Sequence, residues 1–213
     1  TNADRDAVQT KLKDGSTIQL TQKTDYPWKG RINITVDECK STAFEIAFRI
    51  PGWAKSATLQ IDGEPINMDI QPGTFAKINR DWKVGCAIQI DLPMDVKLVE
   101  GHPRIEEVRN QIAIKRGPIV YCIESPDLPK NTEILDVYFK GDTPLNAEFM
   151  PDFLGGITVI KGEVMIRQDK SEGMYQTVTK PQWQSFKTKF VPYFSWSNRG
   201  QAEMTVFVPV VWN

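Results

Sequence analysis

Phe44-Glu45-Ile46-Ala47-Phe48-Arg49-Ile50-Pro51-Gly52-Trp53 is a strand followed by its own stop signal. Large apolar side chains at 44, 46, 48 and 50 alternate with Glu45, Ala47 and Arg49, the period of two that sends successive side chains to opposite faces of an extended chain. One face is apolar and the other carries charge, so the strand is buried on one side only, as in antiparallel sheets. The stop is equally local. Ile50 is held extended by the proline after it, Pro51 has no N–H to give to a ladder, and Gly52 allows a positive φ. Trp53 is then placed to lid the end of the layer.

The same alternation recurs along the chain, at Ile18 and Leu20, at Ile32, Ile34 and Val36, at Leu59 and Ile61, and at Ile88, Ile90 and Leu92. Turn pairs separate these runs at short intervals: Asp14-Gly15, Lys29-Gly30, Pro51-Gly52, Asp62-Gly63, Pro72-Gly73 and Val84-Gly85. That rhythm is the one expected of a sandwich, and helical periodicity is nearly absent. The spacing breaks around Gly101-His102-Pro103, after which a second strand series begins at Ile112 to Ile114 and Ile119 to Ile123. It continues through Ile134 to Phe139, Ile157 to Ile160, Val164 to Ile166, Phe186 to Val191 and one strand over Met204 to Val211. Gly117-Pro118, inside an apolar run, reads as a bulge or an edge position. The stretch from Asp142 to Gly156 is too apolar for a linker and reads as an ordered loop. The expected fold is all-β, with two consecutive antiparallel β-sandwich domains at residues 1–103 and 104–213.

Composition agrees with two cores. The chain has 213 residues, 40% hydrophobic and 25% charged, against a prior of about 150 residues per domain. With 26 basic and 27 acidic residues the net charge is -1, which gathers neither phosphate backbones nor anionic lipid, so nucleic acid and membrane are poor partners. No run reaches the roughly 20 apolar residues of a spanning helix. The first six residues carry neither a charged n-region nor an apolar h-region, which leaves localisation open. Cys39, Cys86 and Cys122 are odd in number and far apart, so they read as thiols packed like small hydrophobes. His102 is the single histidine, and no close Cys or His pair offers a zinc site, so no cofactor is expected in this segment.

The most distinctive run lies near the end: Pro192-Tyr193-Phe194-Ser195-Trp196-Ser197-Asn198-Arg199-Gly200, followed by Glu203 and Met204. It is the last of seven motifs, after Tyr26-Pro27-Trp28-Lys29-Gly30, Arg49 to Trp53, Arg80-Asp81-Trp82 with Gly85, and Asp91-Leu92-Pro93-Met94. His102-Pro103 and the run from Arg116 to Glu124 complete the set. In this order, over nearly the whole chain, they resemble the β-L-arabinofuranosidase-type glycoside hydrolases of family 127 and its close relatives. Cys86 departs from the Asp often found after the glycine, and Phe194 and Ser195 replace the commoner Tyr and Ala.

The resemblance implies an enzyme whose catalytic (α/α)6 barrel precedes two β-sandwich domains and holds a zinc bound by three cysteines and a glutamate, one cysteine being the proposed nucleophile. This chain looks like the sandwich portion, with the catalytic residues upstream of residue 1 and the barrel as its partner, together with a possible homodimer. In some relatives the final strand, here about residues 203–213, returns to the first sandwich, an alternative the sequence leaves open.

No carboxylate pair stands out for the separation of about 5 to 9.5 Å that glycoside hydrolysis needs. Glu106 and Glu107, read as extended, would face opposite sides of a strand. Cys122 sits in an apolar strand that disfavours its thiolate, and His102 reads as a hinge or interface hydrogen bond. The candidate residues for sugar binding or interdomain packing are Trp28, Trp53, Trp82, Tyr193, Trp196 and Arg199, with plugging and packing the plainer account for the tryptophans. Arg199 beside Trp196 offers a cation-π contact or a salt bridge. The alternative is a carbohydrate-binding module that stacks sugar rings on surface tryptophans. An immunoglobulin-like assembly domain ranks last, because the Cys-Trp-Cys core signature is missing.

Overall fold

The computed structural model describes residues 4–40, 43–169 and 173–212. It divides into two compact units, Thr1–Asp95 and Val96–Asn213. The sequence rhythm changes at 103/104, but the strand Val96–Glu100 pairs with Gln111–Arg116 and so goes with the second unit.

The first unit contains β1 (Asp4–Lys11), β2 (Thr17–Thr24), β3 (Arg31–Cys39), β4 (Ala43–Arg49), β5 (Thr58–Ile61), β6 (Glu64–Pro65), β7 (Phe75–Asp81) and β8 (Ala87–Asp91). Six of them form an antiparallel sheet in the order β1-β2-β3-β8-β5-β6, and β4 and β7 form a second, two-stranded one. The alternation decides which side chains meet. Ile34 faces Ile88 and Ile32 faces Ile90 across β3 and β8, while Ile46 faces Ile78 across β4 and β7. The apolar faces of the two sheets then share one core around Val36, Phe48, Ile50, Ile61, Ile88 and Leu92. β1 and β7 escape the hydrophobic pattern because few of their residues are large and apolar. Backbone pairing holds β1 to its neighbour over eight successive registers, Asp4↔Thr24 to Lys11↔Thr17.

Two turns need glycine for stated reasons. Asp62 and Gly63 both have positive φ, 54° and 84°, the requirement of a two-residue turn whose twist matches the hairpin between β5 and β6. At Gly30 the constraint is space: a Cβ there would lie 1.8 Å from the Leu92 carbonyl oxygen, so no other residue lets the chain pass β8 so closely.

The second unit contains β9 (Val96–Glu100), β10 (Gln111–Arg116), β11 (Ile119–Glu124), β12 (Val137–Lys140), β13 (Asn146–Met150), β14 (Ile157–Arg167), β15 (Trp183–Pro192), β16 (Met204–Thr205) and β17 (Val208–Val211). Its hydrogen bonds run β11-β15-β14-β12-β17-β10, and β10 pairs again with β11, so six strands close on themselves. The expected second sandwich is therefore a barrel-like sheet. Closure comes from β17, whose Val208 pairs antiparallel with Ile112 while Val210 pairs parallel with Phe139. β17 stays in this unit and leaves no free edge in the ring. Tyr121, Ile123, Val137, Phe139, Ile160, Val164 and Phe190 fill the interior.

Several local expectations change. Gly117 and Pro118 are the two residues of a hairpin, with Arg116 opposite Ile119, and not a bulge. The run read as a loop over residues 142–156 contains β13, which pairs with β14 from Asn146↔Lys161 to Met150↔Ile157. The two apolar pieces on either side of Gly162 are one strand of eleven residues. Conversely, the stretch from Met204 to Val211 is split between β16 on β11 and β17 in the ring. Glu106 and Glu107 occupy a single 3-10 turn, and His102 caps its own turn, its Nδ1 accepting from the Arg104 N–H at 3.2 Å.

Trp82 plugs the first core. It is 2% exposed, its ring lies 6.2 Å from that of Phe44, and its indole N–H donates to the Phe44 carbonyl at 2.9 Å. Trp82→Ala removes this volume and leaves the carbonyl without its donor. The expected loss is about 3 to 5 kcal/mol of unfolding free energy, read from urea denaturation of the variant against the parent.

Candidate functional site

The distinctive run near the C-terminus is built around a buried set of charges. β15 ends at Pro192, opposite Tyr121 of β11, and the chain then makes one 3-10 turn over Tyr193–Ser195. The Ser195 hydroxyl donates to the Pro192 carbonyl at 2.7 Å, and the Asn198 amide donates to the Ser195 carbonyl at 3.1 Å. Ser197 sits at φ 63°, which turns its N–H onto Glu124 Oε1 at 2.9 Å. Two residues later Arg199 reaches inward. Its two terminal nitrogens grip Asp127 in bidentate fashion at 2.8 and 2.6 Å, and Nη2 also donates to Glu124 Oε2. Lys189 Nζ adds a second cation on Asp127.

The carboxylates of this cluster are shielded from solvent, while its two cations keep partial exposure. Glu124 has no exposure, the Asp127 side chain is 3% exposed and that of Arg199 is 18% exposed. Two carboxylates face two cations, so formal charge cancels inside it. The ring of Phe153 closes one side, with Arg199 Cζ at 5.2 Å and Lys189 Nζ at 5.1 Å from its centroid. Hydrogen bonding to Asp127 raises the Arg199 pKa above its ordinary value; burial opposes this, and Glu124 reinforces it. The carboxylates are committed to a guanidinium, an ammonium and a backbone N–H, an arrangement that fixes chain geometry and offers no poised general acid or base.

The candidate residues separate accordingly. Arg199 is the centre of the cluster, and its cation-π partner is Phe153 and not Trp196. Tyr193, Phe194 and Trp196 stand on the outside of the same turn, 46%, 63% and 38% exposed. In the first unit, Trp82 is buried, Trp53 packs on the core cluster, and Trp28 is half-buried in the turn after β2. Glu124, Asp127, Phe153 and Lys189 do not stand out as site residues in the sequence. A signal for Glu124 did exist: it is an acid closing the otherwise apolar strand Ile119-Val120-Tyr121-Cys122-Ile123, where a carboxylate must find a partner.

The donor set implied for the family's zinc is not assembled among the described residues, where no group of three His, Cys, Asp or Glu could hold a metal ion. The Cys86 thiol donates to Asp62 Oδ2 at 3.4 Å, and the Cys122 thiol donates to the Val191 carbonyl at 3.7 Å. Burial pushes the Cys122 thiol up to about 12 and that of Cys86 upward as well. Iodoacetamide at pH 8 is therefore expected to label half-buried Cys39 well ahead of both in the folded chain, and all three in urea, as peptide mass mapping would show. A second outcome concerns the charge cluster. Arg199→Met leaves Glu124 and Asp127 buried beside a single cation and is expected to lower stability by about 3 to 5 kcal/mol, whereas Tyr193→Ala on the exposed side changes it by less than about 1 kcal/mol.

Comparison with known proteins gives these features a family. The model of the middle domain of family 127 β-L-arabinofuranosidases matches residues 6–94, and that of the family 127 C-terminal domain matches residues 96–209. The non-reducing end β-L-arabinofuranosidase of Bifidobacterium longum subsp. longum is 31% identical over 203 residues, covering 90% of this chain and 30% of that protein. Among solved structures, one described as a glycoside hydrolase superposes with a TM-score of 0.89 at 34% identity, over 96% of this chain and 34% of its own. A family 127 β-L-arabinofuranosidase from Geobacillus stearothermophilus gives 0.87 at 32% identity, over 96% and 32%. The chain thus spans about a third of the length of these relatives. With both domain models matched in succession, the chain belongs to glycoside hydrolase family 127, its two units corresponding to that family's middle and C-terminal domains.

Proposed function

We propose that this chain is the non-catalytic double-β portion of a glycoside hydrolase acting on arabinofuranosides or related plant-derived sugars. Its role is to support a catalytic (α/α)6 barrel, which would carry the zinc, and to contribute to dimerisation. The observation that carries this reading is the consecutive match to a middle and a C-terminal domain, residues 6–94 and 96–209, in a chain a third as long as its relatives. The geometry supports it from another side. The buried carboxylates Glu124 and Asp127 are spent on holding Arg199, Lys189 and Ser197, so the family's distinctive C-terminal run builds a fastened corner. On that corner Tyr193, Phe194 and Trp196 present an aromatic face, suited to packing against a neighbouring domain.

The exposure of those three rings also favours a second reading, a carbohydrate-binding module that stacks sugar on Tyr193 and Trp196. The two are separable. As a support module, the 213-residue chain releases no arabinose from p-nitrophenyl β-L-arabinofuranoside at ordinary enzyme concentrations and shows no heat when titrated with millimolar arabinan oligosaccharides. Turnover would overturn the support reading. Saturable heat abolished by Trp196→Ala would establish the second.

A further inference from the structure

Gly141 is a glycine that its backbone does not require. Its φ lies outside the left-handed region, so any residue could take that conformation. What demands a missing side chain is the indole of Trp212. A Cβ on residue 141 would stand 2.3, 2.6 and 2.7 Å from Cε3, Cζ3 and Cδ2 of that ring. These are three successive atoms of the six-membered ring at similar distances, whereas an approach along the ring plane would leave the outer two markedly farther away. The Cβ would thus come down on the face of the indole, which lies flat against the Gly141 backbone.

Two strand ends set up this seat. β12 and β17 run parallel with Lys140 beside Val211, and the Gly141 N–H donates to the Val211 carbonyl at 2.9 Å, which brings residue 212 over residue 141. The Thr143 N–H then donates to the Lys140 carbonyl at 3.0 Å and closes a turn with Gly141 and Asp142 at its corners. Seated on one face, the indole is still 65% exposed, so its other face is open to solvent. Asp142, whose Cα is about 3.8 Å from that of Gly141, is exposed as well. Neither its carboxylate nor the Trp212 indole N–H has a hydrogen bond or ion pair among the described residues. This is the reverse of the charge cluster, where both carboxylates are committed to partners.

A flat apolar face with a donor and an acceptor at its rim is the chemistry that holds a sugar ring, whose C–H groups stack on the aromatic while its hydroxyls meet the polar groups. A carboxylate acceptor makes the stronger, charge-assisted hydrogen bond to a hydroxyl. With so few polar groups the stacking face does most of the selecting, and it favours the ring with the largest unbroken C–H surface. In a β-D-galactopyranoside the C–H bonds of C3, C4 and C5 share one face; the gluco epimer turns the C4 bond to the other. Arabinofuranosyl rings are smaller and puckered and offer no such face. We propose that Trp212, seated on Gly141 and flanked by Asp142, is a binding platform for a galactopyranosyl ring. It uses neither Tyr193 nor Trp196 and does not depend on the support role proposed above.

The test is an NMR titration of the nitrogen-15-labelled 213-residue chain with methyl β-D-galactopyranoside, methyl β-D-glucopyranoside and methyl α-L-arabinofuranoside, read at the indole N–H cross-peaks. The Trp212 peak is the one missing from Trp212→Ala. The expected result is a saturable shift of that peak in the millimolar range of galactoside, with at least threefold weaker binding of the other two sugars. Gly141→Ala, whose Cβ lifts the ring from its seat, is expected to lose tenfold or more in affinity, and Asp142→Asn threefold or more, with circular dichroism verifying each fold. Should Gly141→Ala fail to fold, the exposed Asp142→Asn carries the test. No saturation at tens of millimolar galactoside would overturn the proposal. So would a shift confined to another tryptophan, equal binding of the three sugars, or unchanged affinity in the folded variants.

Discussion

A fully buried carboxylate, Glu124, sets the terms for the second unit. Removed from water at the end of an apolar strand, it is tolerable only if its oxygens are paired, and the chain supplies the partners from residues more than seventy positions later. Ser197 gives a backbone N–H and Arg199 a guanidinium. That demand draws the segment after β15 back over β11. Asp127 and Lys189 then balance the charge, and the Phe153 ring lies against both cations. The same fastening places the last stretch of chain: the Ser125 N–H donates to the Glu203 carbonyl, β16 pairs with β11, and β17 enters the ring.

Closure by β17 matters because a short strand is marginal by itself. Val208 and Val210 tie it on both sides, to β10 and to β12, and Val208 is buried. The energetic cost of burying Glu124 and the benefit of closing the sheet are therefore linked through a few residues of chain. The first unit achieves its order differently. Its two sheets meet over cross-strand isoleucine pairs and a tryptophan plug, with hydrophobic burial as the main stabilising term. The first unit is held mainly by its apolar interior; the second adds a polar lock at its margin.

The contrast between the units bears on function. Family 127 membership rests on motifs spread over both units, and the most distinctive of them turns out to be the lock. A family signature can mark structure as readily as chemistry when a buried charge network tolerates few substitutions. The exposed rings on the same turn, Tyr193, Phe194 and Trp196, stand outside the lock and take no part in its charge network.

The sequence by itself determined the all-β class and most strand positions in the first unit, because period-two alternation and turn residues act over a few neighbouring positions; the family was legible separately, in the resemblance of seven ordered motifs. It also marked Trp82 and Arg199 as structural candidates. The barrel-like closure, the split of the last strand and strand β13 were decided only by tertiary structure. Each depends on which distant segment supplies backbone partners, as when β13 lies against β14 or β17 runs parallel to β12. The charge cluster was legible in halves: Arg199 stood in a visible motif, while Asp127, Lys189 and Phe153 looked like ordinary loop and strand residues. A buried salt bridge has no sequence period, so only the fold that removes water from both partners reveals that they belong together.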